Sequence, residues 1–510
     1  MTKQPSPDNI TSASITWGED GVPRSAEYDD IYFSIHDGLA ESRYVFLEQN
    51  NLPKRWKSCT QHTIFELGFG TGLNFLATWH AWRETPPTDD NATLHFISIE
   101  KHPLRIADLV RAHTSWEELT PLADMLQQNY PDIAPATHQL TFDNGRVMLT
   151  LCFGDVAEVM PNLNIPSGVD SWFLDGFAPA ANPEMWDELI ACEMARLSAP
   201  HAGFSTFTAA GPVKRALQNH GFEVNKVKGF GYKRDMLCGK SIVNETNDIL
   251  TDNPMREQDV RASHQPVKQS RIANAEAFAG AKPKTIIIGG GLAGCAAAYE
   301  LANQGMQVTL IERSPKLASG ASGNPAGILF PLLHKLWSPL TSFYVSGYGM
   351  SRRLIRDLRE DSTTISGEFC GVIQSSKDSQ LDYFTDLPEM LGITDELAYP
   401  LSPTDIAERL NVEALDIAHG GLFYPEGGWI DVMEFCTALT RHPNIEIITE
   451  ENALTIENHA GKWILTAEGG ASYEAETIII ANGYDATHFS QTSYIPLHTC
   501  LLYTSPSPRD

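Results

Sequence analysis

FELGFGTGLNFLA, residues 65–77, decides the fold of the first half of this chain. A short apolar run ends at Leu67, glycines follow at 68, 70 and 72, and a helical pattern begins at Leu73. Glycines in such a turn let the backbone approach a ligand closely, and the helix behind it presents unpaired N–H groups. A tight strand-to-helix connection uses the same glycines, so the turn must be read with its surroundings. Short apolar runs recur at residues 63–67, 94–99, 147–153, 171–174, 203–207, 222–227 and 236–238, several of them separated by helical patterns. That alternation predicts an α/β fold with a seven-stranded, mainly parallel sheet and helices on both faces.

Two strand-end acids sharpen the turn. HFISIE places Glu100 at the end of the next strand, where a carboxylate can accept both hydroxyls of a ribose. CFGD ends a further strand and places Asp155 to accept from an adenine amino group. With Glu66 ahead of the glycines, this E-x-G-x-G-x-G pattern and its two acids resemble the class I S-adenosylmethionine-dependent methyltransferases. The resemblance implies a Rossmann-like fold that binds its cofactor through Glu66, Gly68, Gly70, Gly72, Glu100 and Asp155. The fourth strand runs into DGFAPAANPEMW, residues 175–186. Loops at the carboxyl ends of an open α/β sheet form its ligand crevice, which sets Asp175 beside the cofactor methyl as the catalytic residue. Phe177 and Trp186 are candidates to stack on a base, and Asn182 to orient a polar acceptor. Core packing is the competing reading for the two aromatics. Pro179 and Pro183 break helix and strand, which favours an exposed, shaped loop.

A second glycine turn lies in TIIIGGGLAGCAAAYELANQGMQVTLIER, residues 285–313. Gly289, Gly291 and Gly294 stand in G-x-G-x-x-G register between a strand and a helix, and Glu312 closes the strand that follows. In such a βαβ frame a dinucleotide pyrophosphate lies on the helix N-terminus and the acid on the adenosine ribose. The frame leaves NAD and FAD open. GASGNPAGILFP, residues 320–331, resembles the segment of D-amino-acid-oxidase-like flavoproteins that runs along the cofactor. That resemblance implies FAD, with Ser322, Gly323 and Asn324 beside it. GGLFYPEGGWID (420–431) and ANG (481–483) match the same family, and a hairpin turn is also compatible with the former.

Composition bounds what surrounds these turns. A chain of 510 residues holds two to four domains at about 100–200 residues each. Apolar residues at 42% and charged residues at 20% describe a globular protein rather than a disordered one. A net charge of −27 repels nucleic acid and anionic membrane on average, so any RNA contact must be local. The candidates are Lys54, Arg55 and Lys57; Lys214 and Arg215; Lys226, Lys228, Lys233 and Arg234; and Arg352, Arg353 and Arg356. The longest apolar stretch, residues 286–298, is broken by glycines and falls short of the roughly 20 residues a membrane helix needs. Eight cysteines without a C-x-x-C pair suggest neither metal nor disulfides, and fit the reduced thiols of a cytoplasmic protein. Residues 244–281 are polar and read as a linker between a methyltransferase domain (1–243) and an FAD domain (282–500), with a tail at 501–510.

A wider resemblance joins the halves. FLDGFAPAANPEMW (173–186), YDDIYFS (28–34), ESRYVFLEQNNLPKRW (41–56) and GFGYKRDMLCGK (229–240) resemble the methyltransferase half of the bacterial bifunctional tRNA 5-methylaminomethyl-2-thiouridine biosynthesis family. The likeness covers residues 15–243 and continues beyond the linker. It implies that the substrate is the wobble uridine of tRNA. The FAD half then converts 5-carboxymethylaminomethyl(-2-thio)uridine to 5-aminomethyl(-2-thio)uridine, and the other half methylates that amine to 5-methylaminomethyl(-2-thio)uridine. Lys233 and Arg234 become substrate-binding residues, beside a Tyr232 where family members often carry arginine. Flavoproteins of this type return to the dinucleotide-binding domain near their C-terminus. The stretch ending SPSPRD shows no such return, so the expectation is a truncated oxidoreductase half that holds flavin weakly or not at all. A monomer is expected. Two rival readings are a small-molecule amine N-methyltransferase fused to an amino-acid oxidase, and a non-catalytic cofactor sensor.

Overall fold

The structure, a computed structural model, describes residues 10–19, 21–35, 37–242, 284–360, 363–375, 381–413 and 419–497. The expected linker and tail lie outside the described residues. The chain divides into two compact units. One takes in the described residues up to 242 together with 329–354 and 369–428; the other takes in 284–328, 355–368 and 429–497.

The first unit is built on an eight-stranded sheet. Its strands are β1 (Gln61–Leu67), β2 (Thr93–Glu100), β3 (Thr137–Phe142), β4 (Val147–Phe153), β5 (Val169–Leu174), β6 (Ser198–Thr206), β7 (Phe222–Lys228) and β8 (Asp235–Ser241). Their spatial order is β3-β4-β2-β1-β5-β6-β8-β7. The five central strands run parallel, while β3 and β8 are antiparallel to their neighbours. All seven expected strands are present, and β3 is the eighth. Its THQLTF alternates in burial, but one of the three inward residues is His138, which hides the apolar period.

Side chains on alternate strand positions feed two cores. Ile64, Leu94 and Phe96 pack on one face with Phe75 and Trp79 of helix α1 (Leu73–Glu84). Phe65, Leu67, Ile97, Ile99, Trp172 and Leu174 pack on the other. Burial on both faces is what a parallel sheet between helix layers requires. Register then sets the height of the site. Leu67 pairs with Ile99 and with Leu174, so Gly68, Glu100 and Asp175 all leave the sheet at one level.

The same unit holds a smaller antiparallel sheet of residues 372–375, 399–401 and 421–424. Ala134 and Ala136 share a core with Leu333, Val345, Leu422 and Tyr424. Arg352 donates to Asp132 at 2.9 Å and Arg353 to the Gln139 carbonyl at 3.1 Å. These two cations are structural, which corrects their reading as RNA contacts. Arg55 is likewise bound to Ser171 Oγ at 3.1 Å.

The second unit carries a four-stranded parallel sheet. Strand β9 (Lys284–Ile288) leads into α2 (Leu292–Asn303) and β10 (Gln307–Ile311), and β11 (Ile445–Ile448) and β12 (Thr477–Ile480) complete the order β11-β10-β9-β12. A three-stranded antiparallel sheet of residues 453–459, 462–467 and 472–475 packs near it. GGLFYPEGGWID does not form a hairpin. Gly421–Tyr424 and Gly428–Ile430 pair into different sheets.

Candidate active site and cofactor cradles

The first glycine turn floors a cavity of about 310 Å³ at the carboxyl ends of β1, β2 and β5. Gly68, Gly70 and Gly72 take φ of +85°, +53° and +72°, the left-handed region that disfavours any side chain. Gly68 also needs its bareness, because a Cβ there would stand 3.1 Å from the Gly176 Cα.

Glu100 fixes this turn. Its Oε2 accepts the Gly70 N–H and its Oε1 the His102 N–H, both at 2.8 Å. Burial pushes its carboxyl up, and the two N–H groups pull it back. Glu100 itself lines the cavity. Asp155 also lines the cavity. It caps the short helix behind it through the Ala157 N–H and pairs with Lys101 at 2.9 Å.

Asp175, first residue after β5, lines the cavity beside the turn. Its Oδ2 accepts the Asn74 amide at 2.6 Å, and the Gly176 N–H also donates to the carboxylate. Burial raises its pKa to about 7 against those two donors. Glu66 departs from expectation. It is fully buried and does not line the cavity. Its oxygens accept Asn74 Nδ2 at 2.9 Å and Ser98 Oγ at 2.7 Å, and burial, then the nearby Asp175, hold it well above the usual carboxylate range. It supports the site from beneath instead of touching a ligand.

The 175–186 loop divides the expected stacking residues. Phe177 and Asn182 line the cavity. Phe177 stacks on Tyr28 at 4.7 Å between centroids and meets the edge of Tyr32 at 5.3 Å. Trp186 belongs to the core, edge-on to Phe207, with its indole N–H on the Phe177 carbonyl. It is closed to a base, and steadies Phe177 instead. Lys233 lines the cavity, paired with Glu41 at 2.8 Å and lying over the Phe207 ring at 4.6 Å. Arg234 stays outside the cavity with 95% of its side chain exposed.

Two further parts of the site lie outside the residues that the sequence pattern marks. Residues 28–34 close over the cavity, and Asp30 Oδ2 accepts the Ala178 N–H at 3.0 Å. Their motif was visible, but their contact spans 148 positions. Asn74 is the other, set among the apolar residues of the helix's first turn.

The second turn repeats the device. Glu312 accepts the Gly290 N–H at 2.7 Å and the Ser314 N–H at 2.8 Å. Gly289 has φ +108° and Gly294 packs on it: a Cβ at 294 would meet the Gly289 carbonyl at 1.9 Å. The cradle fits a dinucleotide. A Cβ on Gly291 would stand 3.2 Å from Ser322 Oγ, which accepts the Leu292 N–H at 2.9 Å at the start of the helix, the end of a helix that suits a phosphate. Gly323 allows the 318–323 loop to close, since a Cβ there would stand 2.7 Å from the Ala318 carbonyl. Asn324 donates to the Ala321 carbonyl at 3.4 Å. Among the described residues no helix is long and apolar enough to cross a membrane.

Comparison with known proteins bears on both halves. Residues 117–242 match the family described as S-adenosyl-L-methionine-dependent methyltransferase, and residues 284–509 the family described as FAD dependent oxidoreductase. The tRNA 5-methylaminomethyl-2-thiouridine biosynthesis bifunctional protein MnmC of Methylobacillus flagellatus is 40% identical over 96% of this chain and 69% of its own length. The protein of the same name from Stutzerimonas stutzeri is 38% identical over 98% of this chain and 71% of its own. A glycine oxidase structure from Bacillus cereus aligns at TM-score 0.35 and 23% identity over 40% of this chain and 55% of that one, a likeness too slight to argue from.

Proposed function

The chain belongs to the family of bifunctional tRNA 5-methylaminomethyl-2-thiouridine biosynthesis proteins, and from that premise we propose how its residues divide the work. It is a tRNA wobble-uridine modification enzyme that joins an S-adenosylmethionine-dependent methyltransferase to an FAD-dependent oxidoreductase. The oxidoreductase converts 5-carboxymethylaminomethyl(-2-thio)uridine to 5-aminomethyl(-2-thio)uridine, and the methyltransferase makes 5-methylaminomethyl(-2-thio)uridine from it.

The carrying observation is a carboxylate at the sheet opening, poised near neutrality in a walled cavity. S-adenosylmethionine, when bound, supplies an electrophilic methyl group. An amine attacks only through a free lone pair, yet an alkylamine is largely protonated at neutral pH. Asp175 takes that proton or holds the neutral amine by hydrogen bonding, and a carboxyl titrating near 7 suits either task better than one near 4. Glu100 receives the ribose hydroxyls and Asp155 the adenine amine, over the turn of Gly68, Gly70 and Gly72. Phe177 and Asn182 hold the uracil ring, while Lys233 and Arg234 meet the RNA.

FAD, when bound, supplies the hydride acceptor for amine oxidation. Gly289, Gly291 and Gly294 seat its pyrophosphate, Glu312 its ribose, and Ser322, Gly323 and Asn324 its extended middle. The methyltransferase domain spans 1–243 and the oxidoreductase domain 282–500, joined by the 244–281 linker and followed by a tail at 501–510. The protein works as a cytoplasmic monomer.

The test is incubation with tRNA that carries 5-carboxymethylaminomethyluridine, taken from cells lacking this protein, followed by nucleoside mass spectrometry. The expected product is 5-aminomethyluridine without S-adenosylmethionine and 5-methylaminomethyluridine with it. Free nucleosides or glycine derivatives turning over as fast as tRNA would favour a small-molecule enzyme instead.

A further inference from the structure

We infer that Asn74 is the positioning residue of methyl transfer: its amide clamps one oxygen of Asp175 and so aims the other at the substrate amine. This rests on the reading of Asp175 given above. The geometry is specific. Asn74 is 7% exposed, and its single Nδ2 spends both hydrogens on carboxylates, Asp175 Oδ2 at 2.6 Å and Glu66 Oε1 at 2.9 Å. Its Oδ1 accepts the Ser42 hydroxyl at 2.6 Å. A rotated amide would turn its oxygen toward Asp175 Oδ2 and Glu66 Oε1, both acceptors in this network, so the orientation with Nδ2 on the two carboxyl groups is the favoured one.

Glu66 explains why the clamp is rigid. It is fully buried on β1, anchored on its far side by Ser98 Oγ at 2.7 Å, and thus holds the amide from behind. Ser42 is 3% exposed on the short helix Gly38–Ser42, which also carries Glu41. A line of hydrogen bonds therefore runs from that helix through Asn74 to Asp175. A carboxylate with one oxygen so engaged offers its remaining lone pairs in a fixed direction. Fixed direction is what an in-line displacement demands of the group that orients the nucleophile.

The clamp also acts on proton affinity. A donor to the charged form favours that form, so Asn74 opposes the burial that raises Asp175. The other titratable groups around Asp175 are Glu66 on β1, itself held well above the usual carboxylate range, Glu41 on the 38–42 helix and Lys233 on the turn before β8. Of these, Glu41 raises it and Lys233 lowers it. Removing Asn74 while keeping them shifts Asp175 upward.

The experiment measures kcat against pH for methylation of 5-aminomethyluridine tRNA by the full chain, in wild type, Asn74→Leu, Asp175→Asn and the double variant. Asn74→Leu should lower kcat about ten- to a hundredfold, the loss of a hydrogen bond to a charged group. It should change KM for S-adenosylmethionine far less, and should move the acid limb to higher pH. In the Asp175→Asn background the same change should cost nothing further. A lowered kcat with an unmoved limb and multiplying losses would mean that Asn74 only supports the fold, and overturns the inference. Near-normal turnover by Asp175→Asn would instead sink the role of Asp175, and with it this inference. If Asn74→Leu does not fold, Ser42→Ala takes its place, since it removes the bond that holds the amide oxygen and loosens the clamp. A smaller loss and a smaller upward limb shift support the clamp, and an unmoved limb in folded Ser42→Ala overturns it.

Discussion

The two glycine turns of this chain use one device for two tasks. In each, the acid ending the next strand reaches back to an N–H of the turn and forward to an N–H two residues on. Glu100 does so at 2.8 and 2.8 Å, Glu312 at 2.7 and 2.8 Å. The difference lies in what the glycines are for. Around the first turn three of them have positive φ, which bends the chain away and opens the cavity floor. Around the second only Gly289 does, and Gly294 serves close packing of helix on strand. The first turn needs unusual backbone; the second needs missing side chains. Substitutions of equal size should therefore fail in different ways.

The largest contrast comes from Gly294→Val. Its Cβ would overlap a backbone carbonyl, so α2 must leave β9. A cost of about 3 kcal/mol or more is expected. Whatever FAD absorbance the purified protein carries should be lost, while methylation of 5-aminomethyluridine tRNA persists. Concurrent loss of both activities would show that the halves fail together.

Asp175→Asn should come next, cutting methylation about a hundredfold and sparing the oxidative step. The wild-type rate should rise with pH through about 7, where Asp175 ionises. Stability should respond with its own sign. The folded pKa lies above the unfolded one near 4, so ionisation costs native stability as pH rises from about 4 to about 7. The Asn variant escapes this cost. Its Tm advantage in a melting scan should be absent at pH 4, grow up to pH 7 and level off above.

A smaller and symmetrical effect is expected from Glu100→Gln and Glu312→Gln. Each places an amide donor against a backbone N–H, so each should weaken its own ligand about tenfold. Calorimetry should show S-adenosylmethionine affected only by the first and FAD only by the second. Smallest is Gly70→Ala. Its Cβ would lie 3.3 Å from the Tyr32 ring at φ +53°. About 1 kcal/mol of strain follows, read as a fewfold weaker S-adenosylmethionine affinity.

Local order was legible in the sequence, and long-range contact was not. Strands, both turns and both strand-end acids follow from apolar runs and glycine spacing, because each is written within about 30 residues. Strand β3 escaped because His138 faces inward where an apolar residue would mark the period. Trp186 misled because a loop aromatic between prolines looks exposed, while its indole N–H is satisfied by a carbonyl nine positions away. Asn74 could not be read at all. Its partners stand 8, 32 and 101 positions away: the parallel register of β1 and β5 brings Glu66 and Asp175 together, and Ser42 comes from the 38–42 helix. The arginines at 352 and 353 look like an RNA patch until Asp132 and Gln139, more than 200 positions earlier, turn up beneath them.

The Asp30 bond to the Ala178 N–H ties together two walls of the cavity that lie 148 positions apart in the chain, and the stack of Tyr28 on Phe177 ties them a second time. A hydrogen bond to a charged group is worth about 1.5–3 kcal/mol, a large share of what a single loop can supply for its own order. The loop that carries Phe177 and Asn182 is therefore tethered by residues 28–34 as well as by the strand before it, and its shape is held by a stretch of chain far from its own sequence.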